Sequence, residues 1–284
     1  MTKQIHKGEA MITRIISGIV GFFVLLPLII AGGIWLQIGL AVVIIIGLRE
    51  FYRAFGNIKA VHYLGFIAAL LHIIFIGGEG FTQNPHLPLL VVPIMLAVLS
   101  MVFIVIRHKT HNITDAAITV FGYFYIAITL STIYLMRDLA GVFPVWLVFI
   151  SAWGCDTGAY FAGRFFGRHK LAPTLSPNKT IEGSVGGTVL ATFLGAAYGF
   201  VLHNLGHLDF WYILVFALVA FVCSIAGQIG DLSASSIKRH TGIKDFGNVM
   251  PGHGGVLDRF DSIIFTAPLA FIIYFALLFL QERF

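Results

Sequence analysis

Charge is what this sequence has least of. Only 11% of its 284 residues are Asp, Glu, Lys or Arg, and 58% are hydrophobic. Soluble domains carry about 25% charged residues, and a soluble fold cannot hide this much apolar surface. That leaves an all-α, polytopic integral membrane protein. The apolar runs are continuous rather than alternating, which excludes a transmembrane β-barrel. Cysteine is nearly absent. Cys155 and Cys223 both fall inside apolar spans without metal-ligand spacing, so they are expected as buried structural thiols. No GxxxxGK[ST] occurs, which excludes a P-loop nucleotide site. Tandem repeats, low-complexity segments, heptads and long linkers are missing too. The chain reads as one transmembrane domain, 1–284, with N-terminal helices over about 11–135 and a C-terminal half over about 142–280.

What is present is a series of nine apolar runs, each long enough to span at about 20 residues. Their centres lie near Phe23, Val42, Ala68, Leu96, Tyr125, Ala152, Leu194, Leu218 and Tyr274. The first run, about Ile15 to Ile30, follows a basic N-terminus and leads directly into more membrane, so it is read as a retained anchor. With the N-terminus placed in the cytoplasm, 16 of the 18 Lys and Arg residues fall on inside segments, and only Arg137 and Arg283 fall outside. The positive-inside rule therefore predicts nine spans with a cytoplasmic N-terminus. It also puts two polar loops, Arg164 to Glu182 and Asp231 to Asp261, on the same cytoplasmic face. The net charge of +5 fits basic loops facing anionic lipid headgroups rather than a nucleic-acid partner.

The seventh run carries Gly183, Gly187, Ala191, Gly195 and Gly199 at every fourth position, a face that admits close helix approach. Tight packing within one subunit and a subunit interface are both open readings. The scattered histidines His62, His72, His86, His111, His203 and His207 sit near loops and span ends and are expected at the surface. Asp115 reads as an N-terminal helix residue.

Asp231 to Asp261, DLSASSIKRHTGIKDFGNVMPGHGGVLDRFD, is the long polar stretch of the chain. Asp231 ends the eighth span. Asp258 and Asp261 begin the ninth, three apart and so on one helical face. Carboxylates brought together call for a hard divalent cation, and Mg²⁺ is the usual ion when the substrate brings phosphates. The bland alternative makes Asp258 and Asp261 partners of the helix dipole and Arg259. Lys238, Arg239, Lys244 and Arg259 are candidates to clamp phosphate oxygens. The Gly252-His253-Gly254-Gly255 turn lets backbone N–H groups converge on an anion before a helix. In the other loop, Lys179 offers charge, Ser176 and Thr180 offer hydroxyls, and Glu182 is either a site residue or a dipole partner. Asp156, late in the sixth span, is a functional candidate as an intramembrane acid, with pairing to Arg164 or a place at the cytoplasmic helix end as the alternative.

The run Ser235-x-x-Lys238-Arg239-x-x-x-x-Lys244-Asp245-x-Gly247-x-x-x-Pro251-Gly252-His253-Gly254-Gly255-x-x-Asp258-Arg259-x-Asp261 resembles the signature of the CDP-diacylglycerol synthases, or phosphatidate cytidylyltransferases. The Ser176-Pro-Asn178-Lys179-Thr180-x-Glu182-Gly183 element and the nine spans resemble the bacterial members. The resemblance implies CTP and phosphatidic acid as substrates and CDP-diacylglycerol and pyrophosphate as products. It implies Mg²⁺ held at Asp231 and Asp258, with Asp156 and Asp261 in further acidic positions, and leaves room for a monovalent cation such as K⁺. It also implies a homodimer among membrane lipids, in the bacterial inner membrane, with its site on the cytoplasmic face. On this reading Asp231, Asp258, Lys238, Arg239, Lys244 and Asp261 do the chemistry. Ser176, Asn178, Lys179, Thr180, Glu182, Ser235, Asp245, His253, Gly254, Gly255 and Arg259 bind substrate. Two readings compete with it. One is a CTP-using polyprenol or phytol kinase, and the other is a cation-coupled transporter with Asp156 as the coupling residue.

Overall fold

The computed structural model describes residues 21–56, 58–77, 87–249 and 254–281. Among them are nine helices: α1 (Gly21–Ala31), α2 (Gly33–Ala54), α3 (His62–Ile76), α4 (Pro88–Ile106), α5 (Ile113–Ala140), α6 (Val142–Phe166), α7 (Ile181–Asn204), α8 (Trp211–His240) and α9 (Leu257–Gln281). Each contains one of the nine expected centres. Seven are long and apolar enough to cross a membrane; α1 and α3 are shorter. The start of the first run, from Ile15, lies outside the described residues. The third run forms a helix of 15 residues, about 22 Å long at 1.5 Å per residue, which falls short of the ~30 Å hydrocarbon core. Gly77 turns to extended backbone and stops it there. The α1–α2 turn needs its glycines, because Gly32 and Gly33 both adopt positive φ (62° and 48°).

The chain divides into two compact units, Met1–Tyr134 with Thr241–Phe260, and Leu135–His240 with Asp261–Phe284. The first is built around α2. Tyr52 stacks on His62 with ring centroids 4.5 Å apart and donates to the Thr119 carbonyl at 3.0 Å. Gly65 and Gly122 leave space for that ring: a Cβ on either would lie 2.2 Å or 2.7 Å from it. At the start of α5, Asn112 and Asp115 form a reciprocal capping box, and Lys59 Nζ reaches Asp115 at 2.7 Å.

Two histidines expected at the surface are buried here. His62 is 3% exposed and His72 is fully buried. Buried imidazoles need partners, and His72 has three: the Tyr123 hydroxyl at 3.0 Å, Ser131 Oγ at 2.9 Å and the Pro88 carbonyl at 3.1 Å. A π-helical stretch, Tyr123–Ile128, breaks the regular ladder of α5 beside this cluster. The carbonyls it releases are taken up locally, Tyr125 by Thr129 Oγ1 (2.6 Å) and Ile128 by Ser131 Oγ (2.7 Å).

In the second unit the small-residue stripe is spent inside the chain. Gly183 and Gly187 face α6: a Cβ on Gly187 would lie 2.6 Å from the Cys155 carbonyl, and one on Gly183 2.8 Å from that of Ala159. Gly195 and Gly199 face α8, against Phe216, Ala220 and Ile213. Of the two open readings, packing within one subunit is the one this geometry fills. Gly227 and Gly230 perform the same service between α8 and α9, where a Cβ on Gly230 would meet the Asp261 carbonyl at 2.6 Å. Cys155 and Cys223 are buried free thiols, as expected, and each donates to a backbone carbonyl at 3.6 Å. The α6–α7 connection folds into a small antiparallel hairpin, β1 (Lys170–Ala172) with β2 (Ser176–Thr180).

Candidate active site

In the second unit, α6, the hairpin, α7 and α8 enclose a cleft of about 540 Å³. Thr180 ends β2 and caps α7, its side chain accepting the Gly183 N–H at 3.1 Å. The preceding residues, Asn178 and Lys179, thereby reach the cleft. Lys179 Nζ forms an ion pair with Asp231, whose side chain, like that of Lys179, is 26% exposed. One turn on, Ser235 Oγ donates to the other Asp231 oxygen at 3.4 Å. Asp156 and Arg164 of α6 line the same space, with Arg164 Nη1 donating to the Tyr160 hydroxyl at 2.9 Å. Of the residues marked out by sequence, Asp156, Asn178, Lys179, Thr180 and Asp231 are therefore brought together. Asp261 lies within electrostatic reach of Asp231, Asp156 and Lys238. Its Oδ1 accepts the Ser262 N–H at 2.7 Å.

Other marked residues of this unit sit elsewhere. Ser176 opens β2, and Arg239 is exposed in the last turn of α8. Glu182 clasps the hairpin: its carboxylate accepts the N–H groups of Arg168 (3.1 Å) and His169 (3.2 Å) and meets His169 Nδ1 at 2.7 Å. One wall residue was missed by sequence reasoning. Gln228 of α8 donates to Thr188 Oγ1 at 3.1 Å and to the Ser184 carbonyl at 3.3 Å, and it accepts from Ser184 Oγ, fixing α7 to α8 at the cleft. A polar amide inside an apolar run is the signal that marks it.

In the first unit, the segment after α8 folds on α2. Lys244, Asp245 and Arg259 are exposed, and Gly254 takes φ +83°. Asp258 is 6% exposed, and its Oδ2 accepts the Phe246 N–H at 2.8 Å and the Gly255 N–H at 3.0 Å. Pro251, Gly252 and His253 of the glycine turn lie outside the described residues. The residue that sequence reasoning overlooked is Glu50, whose carboxylate receives the N–H groups of Val256 and Leu257. An acid near the end of an apolar run was its sole signal.

The donors gathered in the cleft are carboxylate oxygens, amides and hydroxyls, with cations beside them. Such donors could hold a polyanion together with a hard metal ion. Among the described residues no three His, Cys, Asp or Glu side chains converge as a ready-made metal cage. Such a donor set suits an ion that keeps its waters and takes further ligands from substrate phosphates, as Mg²⁺ does.

The chain is similar to known proteins over most of its length. The chain is 34% identical over 259 residues to a phosphatidate cytidylyltransferase of Staphylococcus haemolyticus, covering 90% of this chain and 96% of that one. It is 35% identical over 256 residues to the protein of the same name from Staphylococcus epidermidis, and 34% identical over 258 residues to that of Staphylococcus aureus, with the same coverage. The model of the cytidylyltransferase family matches residues 12–277, so the chain belongs to that family.

Proposed function

We propose that this chain joins CTP to phosphatidic acid, giving CDP-diacylglycerol and pyrophosphate. The observation that carries the reading is the cleft in which Lys179 and Asp231 meet beside Asp156, Asn178 and Thr180. Membership of the family and the printed names of the relatives support it.

A phosphatidate oxygen attacks the α-phosphorus of CTP. The new O–P bond forms as the bond to the bridging oxygen breaks, and pyrophosphate leaves with that electron pair. The attacking oxygen is already ionised at neutral pH, so the residues need not remove a proton. The obstacle is the approach of two anions. Lys179 and Arg164 lower it from the cleft wall, and the hydroxyl of Thr180 and the amide of Asn178 offer hydrogen bonds to phosphate oxygens. Lys238, Arg239, Lys244 and Arg259 add positive charge for the leaving pyrophosphate. Asp231 and Asp258 are the proposed holders of Mg²⁺, with Asp156 and Asp261 in support; the bound ion would supply positive charge to the triphosphate. Fixing both substrates in line removes further entropic cost, up to about 7–11 kcal/mol in ideal cases.

The reading includes a homodimer and a cleft open to the cytoplasm of the bacterial inner membrane. The distribution of Lys and Arg supports the orientation. A partner subunit would use a face other than the glycine stripe. The deciding experiment supplies labelled CTP to purified protein in detergent with a panel of lipids. Label is expected in lipid only with phosphatidate and Mg²⁺, and runs with and without K⁺ test the monovalent ion. With the label moved from the cytidine to the γ-phosphate of CTP, a labelled phosphate monoester formed from an alcohol would make the protein a lipid kinase instead. Cation uptake into proteoliposomes without CTP would make it a transporter.

A further inference from the structure

Near the end of α2 is a buried carboxylate that the chemistry above does not use. Glu50 is 5% exposed. Its Oε1 accepts the Val256 N–H at 3.0 Å and its Oε2 accepts the Leu257 N–H at 2.8 Å. These amides stand at the start of α9, where backbone N–H groups have no acceptor within the helix. Two glycines make the room. A Cβ on Gly247 would stand 2.2 Å from Glu50 Oε1, and one on Gly255 would stand 2.5 Å from both oxygens. Asp258 ties Phe246 to Gly255 in the same fold. A buried carboxylate is costly unless its lone pairs are filled, and here the backbone of a sequence-distant loop fills them. An aspartate would be one methylene short of this reach. A glutamine would turn its NH₂ toward one of two N–H donors.

We propose that Glu50 is a positioning residue for nucleotide binding. By holding Val256 and Leu257 it fixes the backbone beside Gly254, a residue assigned above to substrate binding. Glu50 itself touches no substrate. The proposal rests on the cytidylyltransferase reading and adds that one carboxylate of α2 governs how tightly CTP is held.

The test uses full-length Glu50→Gln in detergent and reads two quantities. Hydrogen exchange of the 254–257 amides is expected to quicken about tenfold or more, while α3 and α4 keep wild-type protection. The KM for CTP is expected to rise about tenfold or more, with the KM for phosphatidate unchanged. Wild-type exchange at 254–257 overturns the clasp. Faster exchange with an unchanged CTP KM, or a fall in kcat with both KM values unchanged, overturns the positioning role. Should Glu50→Gln fail to fold, Gly247→Ala displaces the same carboxylate without altering charge, and the same pair of shifts is expected. If wild-type protein does not turn over CTP with phosphatidate, the functional reading falls, while the exchange measurement still decides the clasp.

Discussion

Replacing Lys179 by methionine removes the cation that meets Asp231 in the cleft. Two unit charges in contact attract by ~4 kcal/mol at the effective dielectric of a protein surface. Desolvation and screening cut that heavily. Exposed pairs retain about 0.2–1 kcal/mol, and breaking a buried one costs about 3–5 kcal/mol. Both side chains here are 26% exposed, which places Lys179→Met between those limits, at about 1–3 kcal/mol of lost stability. Asp231→Asn should cost a similar amount. The double variant should cost less than the two singles added, by about 1–2 kcal/mol. Thermal or denaturant unfolding in detergent measures all four corners of this cycle. Additivity within about 0.5 kcal/mol would refute the pair. Turnover gives a second reading. On the proposed reading substrate phosphates draw Lys179 away from Asp231, so Lys179→Met should lower kcat/KM for CTP about a hundredfold or more, through loss of charge that acts on the phosphates. Unchanged kcat/KM in a folded variant would remove Lys179 from the site.

Asp258→Asn keeps one side-chain oxygen to accept the loop amides and removes the negative charge. Turnover should fall more than about a hundredfold with the melting temperature changed by only a few degrees, and wild-type turnover would remove Asp258 from the proposed metal set. Glu182→Ala releases three contacts to Arg168 and His169, so limited proteolysis should cut the 168–180 segment faster; an unchanged digestion pattern would show that the hairpin holds without that clasp. Gly187→Ala gains about 1 kcal/mol of helix propensity but puts a methyl 2.6 Å from the Cys155 carbonyl and 3.1 Å from Ala159 Cβ. Overpacking of that kind costs about 1–3 kcal/mol. The variant should melt lower than wild type, whereas Gly21→Ala, with no atom of the described residues within 4 Å of the added methyl, should not.

Much of the architecture can be read directly from composition, because continuous apolar runs have few alternatives in a bilayer. Among the described residues each of the nine runs corresponds to a helix, and the stripe of small residues in α7 marks a close helix contact. Asp156, Lys179 and Asp231 could be singled out because charge is scarce and expensive in such a chain. That two of them pair, and that all three share one cleft, depends on the direction in which the hairpin delivers Lys179. Strands of three and five residues, one of them containing Pro177, are too short for a period-two pattern. His72 was misplaced because burial of a histidine is set by its partners, and Tyr123 and Ser131 are more than fifty residues away. Glu182 shows the opposite limit. Its residue type suits a substrate site, yet its carboxylate is occupied by the hairpin it follows.

The clasp between Glu50 and the Val256 and Leu257 amides also fixes an order of events during synthesis. The partners are separated by 206 and 207 residues. At about 5–20 residues per second, α2 is made roughly 10–40 seconds before the amides that will satisfy its carboxylate. In that interval Glu50 must stay hydrated near the membrane surface or be held by insertion machinery. The loop cannot take its final shape until the eighth helix, which precedes it in the chain, has been made. A change in the second helix would therefore first appear as a delay in maturation of newly made protein, visible in a pulse–chase protease assay before any loss in the finished enzyme.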